Sequence, residues 1–371
     1  MNTWIEVKKS ALINNYQVFS NILGKENFMP IIKSNAYGHG FSQVYFCLKD
    51  LAPKFLGVNN LSEATTLRQL GYQNRILICG PVDKSDLAAA TDASAEVIIS
   101  DFGLLEFWKN LSKPPFVHIK VDTGLSRQGF CLKDLESVTE SLIDRRHMYF
   151  GLMTHFASVE DVTEQEYAYF QIRNFQDSIQ IMKKAGFNNL LLHCASSAAT
   201  LLIPESHFDI SRVGISLYGF WPSAITKTSF FAKYGELIDL KPVMSWKSRV
   251  SLLRNISSGT YVSYGCKYRA ERDMRIALLP IGYFEGYPRN VKGAYVLCHG
   301  RRCDVLGRVC MNMMLVDVTT VEGVKVGDEV VLIGSQGDES IKAEKLAACS
   351  DTIQYEVVAR LNSSIKRVVV D

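Results

Sequence analysis

The sequence predicts an α/β fold, a (β/α)8 TIM barrel followed by a mainly β C-terminal domain. Eight short apolar runs recur over about the first 210 residues, and most are separated by stretches with helical spacing. After about residue 235 this alternation gives way to closely spaced strand patterns. A doubly wound open sheet would alternate in the same way, but eight even repeats favour a closed barrel. We therefore expect a barrel over residues 8–235 and a β domain over residues 236–371, to which residues 1–7 add a strand.

Each predicted barrel strand is a short and largely apolar run, as expected of strands buried on both faces. The runs are Phe28–Ile32, Phe55–Val58, Ile76–Cys79, Glu96–Ile99, Phe116–Val121, Tyr149–Thr154, Leu190–His193 and Phe208–Arg212. Helical spacing is clearest over Ser62–Leu70 and Thr163–Lys184, each of which lies between two of these strands. The order of strands and helices is therefore that of a parallel barrel.

The C-terminal third has a different pattern, in which strands follow one another with turn residues between them. The predicted strands are Trp246–Leu253, Thr260–Ser263, Arg275–Pro280, Ala294–Cys298, Arg308–Val318 and Glu329–Ile333. Turn pairs such as Lys292-Gly293 and Gly327-Asp328 join them. Helical spacing returns only over Lys342–Ala348 and Thr352–Leu361. We expect Trp4–Val7 to join this sheet, because a barrel that starts at residue 8 leaves that strand without a partner.

Bulk composition excludes several classes of protein. The net charge is +3, which is too mild to indicate a nucleic-acid or membrane partner. Nine cysteines occur without any C-x-x-C pair, so we expect reduced thiols, no bound metal and an intracellular protein. The N-terminus lacks a signal-peptide pattern, and no apolar run approaches the length of a membrane span. We expect a soluble, cytoplasmic protein.

A single lysine, Lys33, follows directly after the first predicted barrel strand. A lysine in this place must be paired, solvated or used chemically, since an unpaired buried charge is costly. It is either an ordinary strand-end lysine that reaches solvent, or a lysine that forms a Schiff base with an aldehyde cofactor or a carbonyl substrate. Position alone favours the ordinary interpretation.

Polar and basic residues also follow the other predicted strands, at the rim where barrel enzymes place their active sites. Lys120 lies near the end of strand five and Arg127 follows that strand, while His155 comes at the end of strand six. Small hydroxyls and a glycine follow strands seven and eight, in His193-Cys-Ala-Ser-Ser197 and Arg212-Val-Gly214-Ile215, and suit a phosphate bound by backbone N–H groups. Taken singly, each has an ordinary explanation. Ser196-Ser197 could cap a helix, His155 could be a half-buried histidine with its hydrogen bonds satisfied, and Arg212 could be a structural ion-pair partner. Together with Lys33 they favour a phosphate-bearing aldehyde, pyridoxal 5'-phosphate (PLP).

These residues lie in a set of motifs that resembles the alanine racemase family. The motifs are "IIKSNAYGHG", "KVDTGLSRQGF", "MTHFA", "RVGISLYG", "SYG", "IGYFEGYPR", "GRVCMNMMLVDV" and "TIQYE". They occur in order over essentially the whole chain. The resemblance implies a PLP-dependent isomerase that racemises L- and D-alanine and supplies D-alanine for cell-wall peptidoglycan.

The resemblance also implies roles for single residues. Lys33 would hold the cofactor covalently and act as one acid–base group, with Tyr264 as the other. The phosphate contacts would be Tyr37, Ser197, Gly214, Ile215 and Tyr355. The remaining cofactor contacts would be Arg212 at the pyridine nitrogen, His155 beside it, and Arg127 at the phenolic oxygen, oriented by a carbamylated Lys120. Substrate would meet Arg127, the backbone amide of Met311 and the gate residue Tyr283.

In this family the tyrosine comes from the second subunit. The resemblance therefore implies a head-to-tail homodimer with composite active sites, although a site within one chain would leave the same sequence pattern. Two acid–base groups suit the chemistry, because racemisation removes the Cα proton from one face and returns a proton to the other.

Two positions depart from the family pattern. Asn312 stands where an aspartate is typical, and Ser196 stands where an asparagine is typical. Both are compatible with neutral drift or with a changed substrate range. The main alternative is thus a racemase of another or broader set of amino acids, such as serine, lysine or arginine. A PLP decarboxylase of this type would carry a cysteine followed by an acidic residue in the β domain. Here Cys310 is followed by Met-Asn, and the racemase motif "SYG" is present, so a decarboxylase lacks support. A PLP-buffering barrel would have no second domain, and no DNA-binding segment supports a transcriptional regulator.

Overall fold

The computed structural model describes residues 2–147, 150–161, 163 and 165–371. The chain divides into two compact units. The barrel unit comprises residues 11–33 and 45–242, and the β unit comprises residues 1–10, 34–44 and 243–371. The segment that follows Lys33 therefore belongs to the β unit.

Strands and helices alternate through the first two thirds of the chain. The elements are β1 (Thr3–Lys8), α1 (Lys9–Leu23), β2 (Phe28–Pro30), α2 (Lys33–Tyr37), α3 (Phe41–Leu48), β3 (Phe55–Val58), α4 (Leu61–Gln69), β4 (Arg75–Ile78), α5 (Lys84–Ala89), β5 (Ala95–Ile99), α6 (Phe102–Lys109), β6 (Val117–Lys120), α7 (Leu135–Leu142), β7 (Phe150–Met153), α8 (Glu166–Lys184), β8 (Leu190–His193), α9 (Ser197–Leu202), β9 (Ser211–Val213) and α10 (Ala224–Tyr234). The element α2 is a left-handed turn rather than an ordinary helix.

Eight parallel strands of the described residues, β2 to β9, form the barrel. Strands β3 to β8 pair in sequence order, and β2 pairs with β9. The N–H of Ile32 donates to Gly57 O (2.8 Å), which joins β2 to β3. The N–H of Arg212 donates to Ala195 O (3.0 Å), which ties β9 to the end of β8. The predicted (β/α)8 fold is thus confirmed, and its closure places the ends of all eight strands on one rim.

Several barrel helices begin at side chains that cap them. Such a side-chain oxygen accepts an N–H of the first turn, which has no partner within the helix. The capping residues are Asn60, Asp83, Asp101 and Ser223. The strands between the helices are almost wholly buried, which explains why they appear in the sequence as apolar runs.

The eighth barrel strand begins three residues later than predicted, at Ser211 rather than Phe208. Phe208 has a φ of 45°, a left-handed conformation that cannot continue a strand. The sixth strand was predicted to begin at Tyr149, which lies outside the described residues, as does Glu164 in the predicted helix Thr163–Lys184. That helix begins at Glu166.

The β unit is built on a ten-stranded sheet of the described residues. Its further elements are β10 (Met244–Arg249), β11 (Leu252–Ile256), β12 (Tyr261–Val262), β13 (Tyr268–Arg269), β14 (Met274–Leu279), β15 (Tyr295–Cys298), β16 (Arg301–Leu306), β17 (Met314–Asp317), β18 (Glu329–Gln336), β19 (Glu339–Ile341), α11 (Ala343–Cys349), α12 (Gln354–Ala359) and β20 (Lys366–Val370). The sheet order is β11-β14-β17-β16-β15-β18-β10-β1-β20, with β19 beside β18. As predicted, the N-terminal strand joins this sheet, where Ile5 lies opposite Trp246 and Arg367.

Some strands of the β unit differ from the prediction. The run Trp246–Leu253 is two strands, β10 and β11, and the run Arg308–Val318 becomes a strand only at Met314. Strands β13, β16, β19 and β20 were not predicted. In β16 the sequence Arg-Arg-Cys-Asp-Val-Leu is exposed at its charged positions, so it has no continuous apolar run to detect.

No helix within the described ranges is both long and apolar enough to cross a membrane. All nine cysteines lie within those ranges and carry free thiols.

Candidate active site

Lys33 follows β2 and leads directly into a left-handed turn. Ser34, Asn35, Ala36 and Tyr37 have φ values of 58°, 54°, 53° and 52°. For residues other than glycine this conformation costs about 1–2 kcal/mol each, so surrounding contacts must hold it. The side-chain Oδ1 of Asn35 accepts the N–H of Phe41 (2.9 Å), and the Asn35 carbonyl accepts the N–H of Gly40 (3.0 Å). The turn that follows Lys33 is therefore held by its own polar groups.

Arg367 holds the same turn from within the β unit. Its buried guanidinium donates to Gly38 O from Nε (3.3 Å) and Nη2 (3.1 Å). It also donates to three further carbonyl oxygens, those of Leu361, Asn362 and Ile365. In the described residues no carboxylate pairs with it. The sequence analysis did not single out Arg367. Its place at the start of the apolar run Arg-Val-Val-Val could have indicated a buried arginine with hydrogen-bond partners.

The predicted phosphate contacts Tyr37 and Tyr355 lie together in the β unit. Their ring centroids are 6.5 Å apart and the rings are inclined by 55°. Both side chains are partly buried. Gly38, next to Tyr37, has a φ of 81°, and a Cβ there would lie 1.8 Å from Val358 O. Only glycine fits this close approach.

Arg212 is buried at the barrel rim and is surrounded by acceptors that carry no charge. It donates to the carbonyl oxygens of Thr154 (2.8 Å), His193 (3.0 Å) and Cys194 (3.1 Å). Two imidazoles, His193 Nδ1 (2.8 Å) and His155 Nδ1 (3.2 Å), also face its Nη atoms. Its Nε–H has no partner among the described residues. A guanidinium stays protonated, so Arg212 brings an unneutralised positive charge to the rim.

His155 is a neutral imidazole in these surroundings. Burial lowers its pKa well below the usual value, and the charges of four cations lower it further. Those cations are Arg212, Arg127, Lys120 and Lys33. Because Arg212 can only donate, His155 Nδ1 accepts and its Nε2 carries the proton. The rim thus gathers His155 and the four basic residues Lys33, Lys120, Arg127 and Arg212.

Lys120 and Arg127 flank a tight turn after β6. Burial and the charges of Arg127 and Arg212 lower the pKa of Lys120 to about 8. Its Nζ donates to Gln128 Oε1 (3.2 Å). The nearby carboxylate, Asp122, accepts three backbone N–H groups of the turn through Oδ1, so much of its hydrogen-bonding capacity is already used. Arg127 is exposed on this turn.

Ser197 and Gly214 are brought together across two rim loops. The N–H of Gly214 donates to Ser197 Oγ (3.0 Å). Ser196 precedes α9 but makes no side-chain capping bond, so the simple cap interpretation does not describe it. Ile215 is buried and begins a short 3-10 turn, in which the buried Oγ of Ser216 has no hydrogen-bond partner among the described residues.

Tyr264, Tyr283 and Met311 lie on connected loops of the β unit and are exposed. Their exposed fractions are 68%, 41% and 55%. Ser263 Oγ, next to Tyr264, donates to Arg308 O and lies 3.6 Å from Cys310 Sγ. The N–H of Tyr283 donates to Cys310 O (3.1 Å), and the N–H of Phe284 donates to Met311 O (2.9 Å). We call the exposed side chains Tyr264, Tyr283, Phe284 and Met311 the aromatic patch.

Asn312, one of the two departures noted in the sequence, has a specific partner. Its Nδ2 donates to Glu285 Oε1 (2.9 Å), and Glu285 Oε2 accepts the N–H of Gly282 (2.8 Å). The amide therefore ties the Cys310–Asn312 loop to the Gly282–Glu285 turn. An aspartate at 312 would instead face the Glu285 carboxylate.

Comparison with known proteins gives one consistent result. Residues 7–222 match the family model described as alanine racemase, N-terminal domain, and residues 243–369 match alanine racemase, C-terminal domain. The chain is 36% identical to an alanine racemase of Leptospira interrogans, over 100% of this chain and 96% of that protein. It is 34% identical to one from Symbiobacterium thermophilum, over 98% and 96%.

Solved structures agree with these relatives. An alanine racemase from Bacillus anthracis with bound L-Ala-P superposes with a TM-score of 0.91 at 29% identity, covering 100% of this chain and 95% of that one. One from Clostridium difficile in complex with cycloserine has a TM-score of 0.87 at 29% identity, covering 100% and 96%.

Proposed function

Because the chain belongs to the alanine racemase family, we propose that it is an isomerase that interconverts L- and D-alanine with PLP as cofactor. The observation that carries the proposal is Arg212, a buried cation at the rim whose Nε–H is left for a ligand. An arginine cannot give its proton to a pyridine nitrogen, so that nitrogen stays unprotonated. The ring then withdraws electrons less strongly than it would with a carboxylic acid as its partner. A weakly electron-withdrawing ring suits proton exchange at Cα and limits side reactions such as transamination.

The residues present fit PLP. Arg212 offers an N–H to the pyridine nitrogen, and Lys33 would hold the aldehyde carbon covalently. Ser197, Gly214 and Ile215 would meet the phosphate from a loop that carries an unpartnered Ser216 hydroxyl. Tyr37 and Tyr355 are proposed for the same phosphate and Arg127 for the phenolic oxygen, while His155 lies beside Arg212. When bound, PLP withdraws electrons from the substrate and so acidifies its Cα–H.

Two residues of this chain would move the proton. Lys33 Nζ would exchange a proton with Cα on one face of the substrate, and Tyr264 Oη would do so on the other. Met311, through its backbone amide, and Arg127 would orient the substrate, with Tyr283 at the passage to it. Removing either acid–base group stops racemisation, because neither can serve both faces.

The direct experiment supplies the purified protein with PLP and, separately, each L-amino acid in deuterated water. Chirality and α-deuteration are then measured. We expect alanine to turn over fastest, with Lys33→Ala and Tyr264→Phe inactive. Faster turnover of serine, lysine or arginine would establish the alternative substrate range, which Asn312 and Ser196 leave open.

The aromatic patch supports a homodimer. Soluble monomers rarely expose a contiguous group of large apolar side chains, and such a group usually marks an interface. We propose that a second copy of the chain covers this surface head-to-tail. Tyr264 would then complete the active site of the partner.

Lys120 is proposed to be carbamylated. A neutral amine attacks CO2 to form an N–C bond and releases a proton to solvent. The lowered pKa of Lys120 makes the neutral amine available near pH 8. The carbamate would bring a negative charge beside Arg127, where Asp122 is already engaged by backbone N–H groups.

We further propose a cytoplasmic location and a role in supplying D-alanine for peptidoglycan. The nine free thiols support a reducing compartment. Deletion of the gene in its host, followed by growth with and without D-alanine, tests the role.

A further inference from the structure

A chain of buried polar side chains runs from Arg212 into the interior of the barrel. Arg212 Nη1 lies 2.8 Å from His193 Nδ1, and His193 Nε2 lies 2.7 Å from His118 Nδ1. His118 Nε2 lies 2.7 Å from Glu96 Oε2. The two histidines are fully buried, and Glu96 and Arg212 are 6% and 7% exposed.

The direction of every hydrogen bond in this chain is fixed. A guanidinium only donates, so His193 Nδ1 must accept from Arg212. The proton of neutral His193 therefore sits on Nε2 and is donated to His118 Nδ1. His118 must then carry its proton on Nε2 and donate it to the Glu96 carboxylate. Both histidines are thus held in the Nε2–H tautomer.

The far end of the chain is anchored by Arg75. Its Nη2 donates to Glu96 Oε2 (2.9 Å), and its Nε contacts Oε1. Burial alone would raise the pKa of Glu96, but the hydrogen bond from His118 and the charge of Arg75 hold it below its usual value. Burial and Arg212 lower the pKa of His193 well below the usual value, which keeps that ring neutral.

The barrel leaves space for this arrangement. A Cβ at Gly151, in β7, would lie 1.9 Å from His118 Nδ1. Gly151 has no positive φ, so it is not required by backbone conformation. The glycine instead makes room for the imidazole of His118, so that side chains from β5, β6, β8 and β9 form one polar chain within an apolar core.

We propose that Glu96 and His118 are positioning residues that act on Arg212 through His193. By fixing the tautomer of His193 they give Arg212 Nη1 an acceptor. This holds the guanidinium so that its Nε–H faces the cofactor ring. The inference rests on the proposed PLP site for its consequence, but the tautomers themselves do not depend on PLP.

Glu96→Gln provides the sharpest test because it keeps the shape and removes the charge. An amide offers one acceptor oxygen, which both Arg75 and His118 require. If the amide oxygen takes the place of Oε1, the amide N–H faces His118, and both tautomers invert until a donor meets Arg212. If the oxygen takes the place of Oε2, which accepts from both His118 and Arg75 Nη2, the amide N–H faces Arg75 Nε. Adding Arg75→Met removes this competition and should restore the original tautomers.

The primary measurement is 15N NMR of the histidine rings in cofactor-free protein, with PLP affinity measured separately by absorbance titration. We expect the Nε2–H tautomer for His118 and His193 in the wild type. E96Q should shift this tautomer balance and weaken PLP binding by about tenfold or more, the scale of supporting-residue effects at bound groups. In R75M/E96Q the tautomer balance and the PLP affinity should both return to within about twofold of the wild type. His207→Gln serves as the control, because the His207 ring meets Thr200 O (2.9 Å) and lies outside the polar chain. This variant should change neither the tautomers nor the PLP affinity.

Two results would overturn the inference. One is the finding that His193 of the wild type carries its proton on Nδ1. This measurement does not depend on whether any variant folds. The other is E96Q with unchanged tautomers and unchanged PLP affinity. Failure of the wild type to bind PLP at all would instead refute the proposed function and leave the tautomer result standing.

Discussion

Arg367 donates two hydrogen bonds to the carbonyl oxygen of Gly38, a residue 329 positions away in the chain. Gly38 ends the left-handed turn that begins after Lys33, so the C-terminal strand holds the loop next to the proposed catalytic lysine. All five hydrogen bonds that the guanidinium makes to the described residues go to carbonyl oxygens of the β unit. Arg367 therefore supports the strained turn together with the polar groups of Asn35.

Arg367→Met should lower the free energy of unfolding by about 2–4 kcal/mol, because four carbonyl oxygens lose the guanidinium as a donor. Of these, Asn362 O keeps the N–H of Ile365 (3.2 Å). Urea titration measures the change. Arg302→Met is the matched control, since Arg302 pairs with Glu339 on an exposed surface and should cost less than about 1 kcal/mol. Equal costs for the two variants would contradict the role given to Arg367.

Gly38→Ala separates close packing from backbone strain. Gly38 has a φ of 81° and a Cβ there would overlap Val358 O, whereas Gly235 has a φ of 77° with nothing within 4 Å of its Cβ position. Both substitutions cost about 1 kcal/mol for the positive φ. Gly38→Ala should cost about 1–3 kcal/mol more, from overlap. Thermal unfolding of the two variants compares them, and similar melting temperatures would refute the argument.

The lowered pKa of Lys120 makes the free energy of unfolding depend on pH and fixes the sign of that dependence. The native value of about 8 lies below the ordinary 10.5, so the native state binds this proton less tightly than the unfolded chain. The resulting penalty is fully present below pH 8 and disappears as pH rises towards 10.5. Lys120→Met should therefore stabilise the protein at pH 7, by up to about 3 kcal/mol, and the gain should shrink by pH 10. Denaturant titrations in CO2-free buffer measure it.

Added bicarbonate distinguishes a carbamate from a free amine at Lys120. At pH 8 it should stabilise the wild type and leave Lys120→Met unchanged, because binding to the native state alone raises its stability. A 13C-labelled carbamate signal should appear in the wild type. Lys54→Met, which alters an exposed lysine paired with Glu26, should behave like the wild type. A bicarbonate response in Lys120→Met would exclude this site.

Asn312→Asp should weaken the tie between the two loops of the aromatic patch, because the new carboxylate faces Glu285. We expect a loss of about 0.5–1 kcal/mol in unfolding free energy and a higher KM for alanine. Adding Glu285→Gln should restore both. A double-mutant cycle without coupling would show that Asn312 and Glu285 act independently.

Mixing two inactive variants tests the composite site. After verified subunit exchange, Lys33→Ala and Tyr264→Phe should recover about a quarter of wild-type activity, since half of the dimers are mixed and each holds one intact site. The double variant Lys33→Ala/Tyr264→Phe should recover nothing with either single variant. No recovery in the first mixture would place both groups in one subunit.

The fold was predictable from the sequence because its signals are local. A barrel strand such as Phe55–Val58 is apolar over its whole length, and the turn pair Gly327-Asp328 marks the start of β18. The same reasoning located Lys33 and the rim loops, since strand ends can be read from where apolar runs stop. It missed β16, whose charged residues hide its strand pattern. The roles of the individual site residues stay predictions.

The sequence by itself determined the (β/α)8 barrel, the β domain and the motifs that resemble the alanine racemase family. Only the tertiary structure decided which polar residues meet: Glu96 with His118, Arg367 with Gly38, and Asn312 with Glu285. Apolar periodicity repeats every few residues and is visible in one segment. A buried hydrogen bond instead joins two groups from distant segments, and its direction is set by what each can donate or accept once the chain has folded.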